Sequence, residues 1–561
     1  MEENKQTAEI ELPPKYYLHN FRHLVEFVER MYGGILYKEE LDFIARFRQL
    51  PEDGQCLFLR MANRRYSVFF QDQLRYEELQ ITPELWAALF DASLAVPLNP
   101  DHEAYYPFLI RLSKKEELID FGMWLGEEPN GLKRASKVGL EAWMEHQVAF
   151  EDFFAYLEEK EIRVVVQQEE RAYAFLLFLY FGGNRYMDMS QFVIRDIGNI
   201  KLEEFGEDDF TPYFRNRQEA EDKWQVWDHL AEFRAMREDT APEEVAAYFD
   251  RTLPSHQDIA PVAHPLLDSL YVKIGTWLER KKMPRLALGY YSKTQQPPAR
   301  ERQVRLLIKQ KQKEEALALC QHILESYQNA EEKYFALDTL NMGDKKRRVK
   351  STTSYLRKAP SCQISQKYQY KVERGVLDWY QAQGFEGFHC ENGIWRGLFG
   401  LVFWDVLFDA SHESVHNPFQ RIPSDLYLPE FFPKREAQMR EALGILDRED
   451  ALGQLQERFE QKRGIFNPFI GWGEGLMGRI GKYLEYLSPN QIGEILLEMG
   501  RNLREHRAGF PDLYLYHPEK REARFVEVKS PTDSLSAQQL HWLDVMEDLG
   551  IQAYVRRVEW G

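Results

Sequence analysis

From about residue 226 to 380, apolar residues recur at helical spacing in one segment after another, which commits that stretch to packed helices. Arg285–Tyr291 (RLALGYY), Gln303–Lys309 and Glu314–Leu324 (EEALALCQHIL) carry small and large apolar side chains in this pattern. A solenoid or helical linker is expected there, serving interaction or geometry rather than chemistry. The full 561 residues exceed what one hydrophobic core organises, so several domains are expected. Twelve Trp, 29 Tyr and 36 Phe argue against extensive disorder. No apolar run approaches a bilayer span, and MEENKQTAEIELPPK lacks the apolar segment of a secretion signal, so the expected location is the cell interior. Cys56, Cys320, Cys362 and Cys390 are scattered, with no CxxC pair, and read as reduced thiols.

The expected divisions are 1–75, an N-terminal domain; 76–225, a basic helical region; 226–380, the helical array; and 381–561, a mixed α/β domain. The architecture is thus multidomain and predominantly α-helical, with the α/β part at the C-terminal end. CLFLRMANRRYSVFF ends as a strand, with Arg64 and Arg65 read as a solvated turn in preference to a phosphate contact. In RLSKKEELIDFGMWLGEEPNGLKRASKVGLEAWMEH, Ser113 and Glu116 suggest a capping box. PNG breaks the helix that follows, and a second helix begins near Val138. Lys114, Lys115, Lys133, Arg134 and Lys137 decorate this hairpin, which resembles the small SAP DNA-binding module. The helices after 226 are similar to tetratricopeptide-type pairs, without a clean repeat period. The densest cationic run, Lys345, Lys346, Arg347, Arg348 and Lys350, reads as a phosphate-binding patch, a localisation tag or a solvated loop. A net charge of −18 disfavours a uniformly DNA-binding surface. Charges more than about 8–10 Å apart are screened from one another, so a local basic groove remains compatible.

Chemistry concentrates after Gly509. Leu513–Tyr516 and Arg524–Val528 have strand composition and flank the polar HPEKRE, a β-hairpin signal. A turn centred between Glu519 and Lys520 brings Asp512 opposite Glu527, and opposed carboxylates repel unless a cation lies between them. Lys529 shares the face of Glu527, while Val526 and Val528 face the other way. Oxygen ligands of this kind suit Mg²⁺ or Mn²⁺. A metal held there can polarise a phosphodiester and activate a water, with Lys529 orienting it or offsetting developing charge. An accidental surface ion pair is the competing reading, and a single bulge would spoil the pairing.

Pro511-Asp512, Glu527-Val528-Lys529 and Leu535-Ser536-x-x-Gln539 with Trp542-Leu543 resemble the virus-type replication–repair nuclease (VRR-NUC) domain, a branch of the PD-(D/E)xK superfamily. GFHCENGIWRGLFGLVFWDVLF is similar to the segment that supplies an extra catalytic glutamate in Fanconi anaemia-associated nucleases, with Glu391 at the matching position. The resemblance implies metal ligation by Glu391, Asp512, Glu527 and the Val528 carbonyl, with Lys529 positioning water. Gln539 would support Lys529 or the scissile phosphate. It also implies cutting near 5′ flaps and 5′–3′ exonuclease action in interstrand crosslink repair, with branched duplex DNA as partner. Eukaryotic members carry an N-terminal zinc finger that this chain lacks, which points to a bacterial type, cytoplasmic and nucleoid-associated.

From the residues alone, Glu391 is a carboxylate at the N-terminal edge of a buried helix, Ile394–Phe408. Asp405 is expected in a structural hydrogen bond, and Glu386 is a secondary ligand candidate. GWGEGLMGRIGK lacks Walker A spacing, and His389 beside Cys390 makes no activated thiol. Two other functions compete: a four-way-junction resolvase using the same domain, and an inert repair scaffold whose helical repeats bind proteins.

Overall fold

The computed structural model describes residues 13–192, 200–342 and 349–561. Lys345, Lys346, Arg347 and Arg348 lie outside the described residues. Lys350 is exposed where the helix Ser351–Lys358 begins. The chain divides into two compact units.

The first unit comprises the chain before residue 200 together with Pro212–Arg217. Its helices enclose an antiparallel sheet of β1 (Val68–Phe70), β2 (Ala95–Pro97) and β3 (Val164–Gln167), with β3 central. Every residue of β3 is buried, as its VVVQ composition requires of a strand covered on both faces. The boundary expected at 75 therefore falls inside a sheet, because β1 pairs with β3 across it. Arg64 and Arg65 are exposed in the turn before β1.

The basic hairpin forms three helices, Lys115–Trp124, Pro129–Arg134 and Lys137–Gln147. PNG opens a helix of its own, since proline at a first helical position forfeits no hydrogen bond. Ser113 is not the expected cap. It ends the preceding helix, and its hydroxyl donates to the Leu109 carbonyl (2.9 Å). Glu117, rather than Glu116, accepts from the Lys114 amide (2.6 Å).

The second unit comprises Ile200–Thr211 and Gln218–Gly561. Successive helices Pro242–Thr252, His264–Arg280, Pro284–Tyr291, Ala299–Lys309, Lys313–Glu325 and Ala330–Leu340 build the expected array. A buried bidentate pair, Arg300 to Glu332 (2.6 and 3.1 Å), clamps two of them. Tyr334 on the last helix donates to Asp544, and Ala330 and Tyr334 pack with Leu540, Leu543 and Val555. The array thus buttresses the C-terminal α/β layer.

That layer is a five-stranded mixed sheet, β4 (Ser361–Ile364), β5 (Glu386–His389), β6 (Leu513–His517), β7 (Glu522–Lys529) and β8 (Gln552–Trp560), ordered β4-β8-β7-β6-β5. β4 and β7 run parallel to β8, whereas β5, β6 and β7 form antiparallel pairs. The boundary expected at 381 also falls inside a sheet, because β4 lies upstream of it. Val376, Leu377 and Tyr380 of the helix Val372–Gln381 cover Leu513, Leu515, Val526 and Val528 on one face. Trp395, Phe510 and Trp542 cover Tyr514 and Phe525 on the other. The apolar helix expected over 394–408 stops at Val402, and Trp404–Leu407 forms a separate turn. Arg458 takes the carbonyls of Leu401 and Val402 (2.8 and 3.2 Å), which satisfies the break.

Candidate active site

Register places the first two carboxylates. Leu513 pairs with Val526 and His517 with Glu522, so Asp512, one residue before β6, comes up to Glu527. The approach to Asp512 depends on Gly509, whose φ is +92°. A Cβ there would also lie 2.8 Å from Gln538 Cβ, so both conformation and space require glycine. Phe510 then stacks on Trp542 (centroids 4.0 Å apart), and the Trp542 indole N–H donates to the Ala508 carbonyl (3.0 Å).

Asp512 Oδ2 accepts from the Val528 amide (2.8 Å). Val528 itself lies with its side chain in the core and its backbone against the site. Glu527 is 1% exposed and Lys529 8%. Glu527 Oε1 receives both Lys529 Nζ (2.9 Å) and Gln539 Nε2 (2.5 Å). Lys529 also donates to Gln539 Oε1 (3.1 Å). Gln539 reaches this position because Ser536-x-x-Gln539 is a capping box: the Ser536 amide donates to Gln539 Oε1 (3.0 Å), and the Gln539 amide to Ser536 Oγ (3.1 Å). Its side chain therefore ties Lys529 and Glu527 together.

Glu527 Oε2 is buried without a hydrogen-bond partner. Burial, then the charge of Asp512, pushes the Glu527 carboxyl up to about 8 against the pull of Lys529. Burial also raises Asp512 to about 6, opposed by the Val528 amide and Lys529. Two adjacent carboxylates reluctant to ionise, with an orphaned buried oxygen, form a donor set that a hard divalent cation would satisfy.

Glu391 stands beside them through its backbone, since the Cys390 and Glu391 amides both donate to the Asp512 carbonyl (2.8 and 3.3 Å). The Glu391 side chain is exposed and accepts from Asn392 Nδ2 (3.1 Å). Its φ of +40° is a strained conformation for glutamate, of the kind that functional sites retain. Asn392, which the sequence did not single out, also accepts from the Phe510 amide (3.2 Å) and so joins Glu391 to the Asp512 turn. Charges on Glu373 and His389 reach Asp512 as well, with opposite sign.

Other candidates fall elsewhere. Glu386 pairs with Tyr516 at the opposite end of the strand pair and accepts its hydroxyl (2.9 Å). Asp405 is exposed and bound to Arg458 (2.7 Å). Cys390 is buried, its thiol donates to the Pro511 carbonyl (3.2 Å), and burial pushes it up to about 12, so it is no nucleophile. In the first unit, Lys114, Lys133 and Arg134 are exposed. Lys115 and Lys137 donate to the carbonyls of Lys133 (3.2 Å) and Arg111 (2.9 Å).

A protein-family model described as the VRR-NUC domain matches residues 447–560, and one described as the FAN1 HTH domain matches residues 15–95. The chain is similar to a Fanconi-associated nuclease 1 homolog of Pseudomonas aeruginosa, 29% identical over 98% of this chain and 96% of that protein. It is similar to a homolog of Schizosaccharomyces pombe at 31% identity over 180 residues, 31% of this chain and 25% of the yeast protein. Among solved structures it resembles paFAN1 bound to DNA with a two-nucleotide 5′ flap and a gap, with TM-score 0.80, 25% identity and coverage of 98% and 99% of the two chains.

Proposed function

The chain belongs to the Fanconi-associated nuclease family, and from that premise we propose that it is a structure-selective, metal-dependent DNA nuclease. It cuts at 5′ flaps and degrades DNA from 5′ ends in interstrand crosslink repair. The observation that carries the reading is Glu527 Oε2, which is buried without a hydrogen-bond partner among the described residues, in a carboxyl whose Oε1 takes Lys529 and whose charge is opposed by that of Asp512.

Asp512, Glu527, Glu391 and the Val528 carbonyl would hold Mg²⁺ or Mn²⁺. The bound cation would supply Lewis-acid polarisation of the phosphodiester and a lowered pKa for its water. Lys529, kept in place by Gln539 and Glu527, presents an ammonium to the scissile phosphate and to charge developing on it. Gln539 keeps that ammonium from collapsing wholly onto Glu527. Exposed Glu391 lies on the solvent side, where a phosphodiester would enter.

Lys114, Lys133 and Arg134, with Lys115, Lys137 and the run Lys345, Lys346, Arg347, Arg348 and Lys350, are assigned to duplex phosphates. Lys115 and Lys137 must release backbone carbonyls to take part. The helical array is assigned to geometry and to protein partners. A bacterial cytoplasmic, nucleoid-associated location accompanies this reading. Among the described residues no helix is long and apolar enough to cross a membrane.

Purified wild type and Lys529→Ala, each given end-labelled 5′-flap DNA and Mn²⁺, test the assignment. Cleavage by wild type and its loss in the variant are expected. Equal cleavage by both would remove Lys529 from the chemistry. Failure of wild type on flap, splayed and four-way DNA alike would favour the scaffold function.

A further inference from the structure

A second cluster of ligand-type side chains lies outside the nuclease site. Glu498 lies in the last turn of the helix Pro489–Arg501, His506 closes the turn Leu503–His506, and His541 lies on the helix Ala537–Asp548. One ligand atom from each falls within 4.8 Å of the others. His541 follows Gln539 by two residues, about 200° around the helix axis, so this cluster occupies the opposite side of the helix from the nuclease site.

The donor atoms are placed and prepared. Glu498 Oε2 is held by Arg501 (2.6 Å), which leaves Oε1 facing His541 Nε2 (3.2 Å) and His506 Nδ1 (3.4 Å). Ligands about 2.0–2.1 Å from a tetrahedral Zn²⁺ stand about 3.3–3.4 Å from one another, so both spacings match edges of such a polyhedron. His541 is 4% exposed, and its Nε2, although close to Glu498, makes no hydrogen bond. Burial pushes Glu498 upward, but contact with His541, His506 and Arg501 outweighs it and holds the carboxyl at about 2. Burial, with the nearby His541, pushes the His506 imidazole down, toward the neutral form that binds metal. His506 Nδ1 currently donates to the Glu498 carbonyl (2.8 Å), and its ring stacks against His541 with centroids 4.5 Å apart. Closure on an ion therefore requires one ring to turn out of this stack, release of that hydrogen bond and transfer of the His506 ring proton from Nδ1 to Nε2.

We propose that Glu498, His506 and His541 form a second cation site, selective for a borderline ion such as Zn²⁺ or Co²⁺ and distinct from the oxygen-lined nuclease site. Two imidazoles and one carboxylate favour such ions over Mg²⁺. An ion there would staple three segments, among them the turn that delivers Gly509 to Asp512.

The test is a Co²⁺ titration of the metal-stripped full-length protein, read by visible ligand-field absorption, which is intense for four-coordinate Co²⁺ and weak for octahedral. One equivalent of the intense signal is expected in wild type and in Glu527→Gln, with displacement by Zn²⁺ and a rise in Tm. The signal should be lost in His541→Asn and in Glu498→Gln, with circular dichroism confirming that each variant folds. Absence of the intense signal in wild type would overturn the proposal, whatever the variants do. So would its loss in Glu527→Gln, or its full retention in Glu498→Gln.

Discussion

Glu527 and Glu498 are both largely buried carboxylates set against the helix Ala537–Asp548, yet Glu527 is driven up to about 8 and Glu498 is held at about 2. Burial opposes the charge in both. The neighbours differ: Glu527 has one ammonium and a second carboxylate, whereas Glu498 has Arg501 and two imidazoles. The contrast shows that burial alone does not set where a carboxylate ionises. What distinguishes Glu527 is a second carboxylate beside it, Asp512, together with an oxygen left without a donor among the described residues.

Lys529→Ala should break the contrast most severely, because it removes the protein's own cation from the nuclease site. Removing a preorganised group that meets developing charge lowers kcat by roughly 10²–10³-fold. Steady-state cleavage of flap DNA measures this, and Glu498→Gln should leave that rate within a few-fold of wild type. Gln539→Ala should cost less, about 10–100-fold, the range for residues that orient ligands and catalytic groups from behind. Its effect should fall on kcat rather than on DNA affinity.

Acid and base should then separate the two carboxylates. Glu527 has a raised folded pKa, so its contribution to stability is present below its ordinary value of 4.5 and is lost as pH rises through about 8. Glu498 has the opposite sign: its contribution is present above 4.5 and is lost as pH falls toward about 2. Metal-free protein should therefore lose Tm on both sides of a maximum. Glu527→Gln should flatten the alkaline limb, and Glu498→Gln the acid limb. Scanning calorimetry across this range would refute the contrast if one substitution flattened both limbs.

The smallest effect is expected from the first unit. Lys133→Ala and Arg134→Ala should each weaken binding to all duplexes about equally and lower the slope of log K against log salt by about 1. Fluorescence anisotropy at several salt concentrations measures this. A slope unchanged in the double variant would detach the basic hairpin from DNA.

The nuclease hairpin was legible because antiparallel pairing has one free parameter, the turn centre, and HPEKRE limited it. Placing that centre put Asp512, Glu527 and Lys529 together, and Ser536-x-x-Gln539 announced its own capping geometry. The domain boundaries were less legible. β3 and β4 pair with strands far away in sequence, and no local pattern records such partners. Ser113 was misplaced because two helices meet there and compete for one hydroxyl. The cluster of Glu498, His506 and His541 passed unnoticed because its members come from three elements with no ligand spacing in common. Asn392 was missed for a related reason, since its value lies in joining Glu391 to Phe510, which only the fold makes neighbours.

The central claim is that Asp512 and Glu527 capture a divalent cation that the chemistry requires. Crystals of the full chain soaked in Mn²⁺ and measured at the manganese edge test it most directly. An anomalous peak within about 2.0–2.2 Å of oxygens from both side chains is the expected result. No peak there in a cleavage-competent crystal, or one ligated by neither carboxylate, would contradict the account.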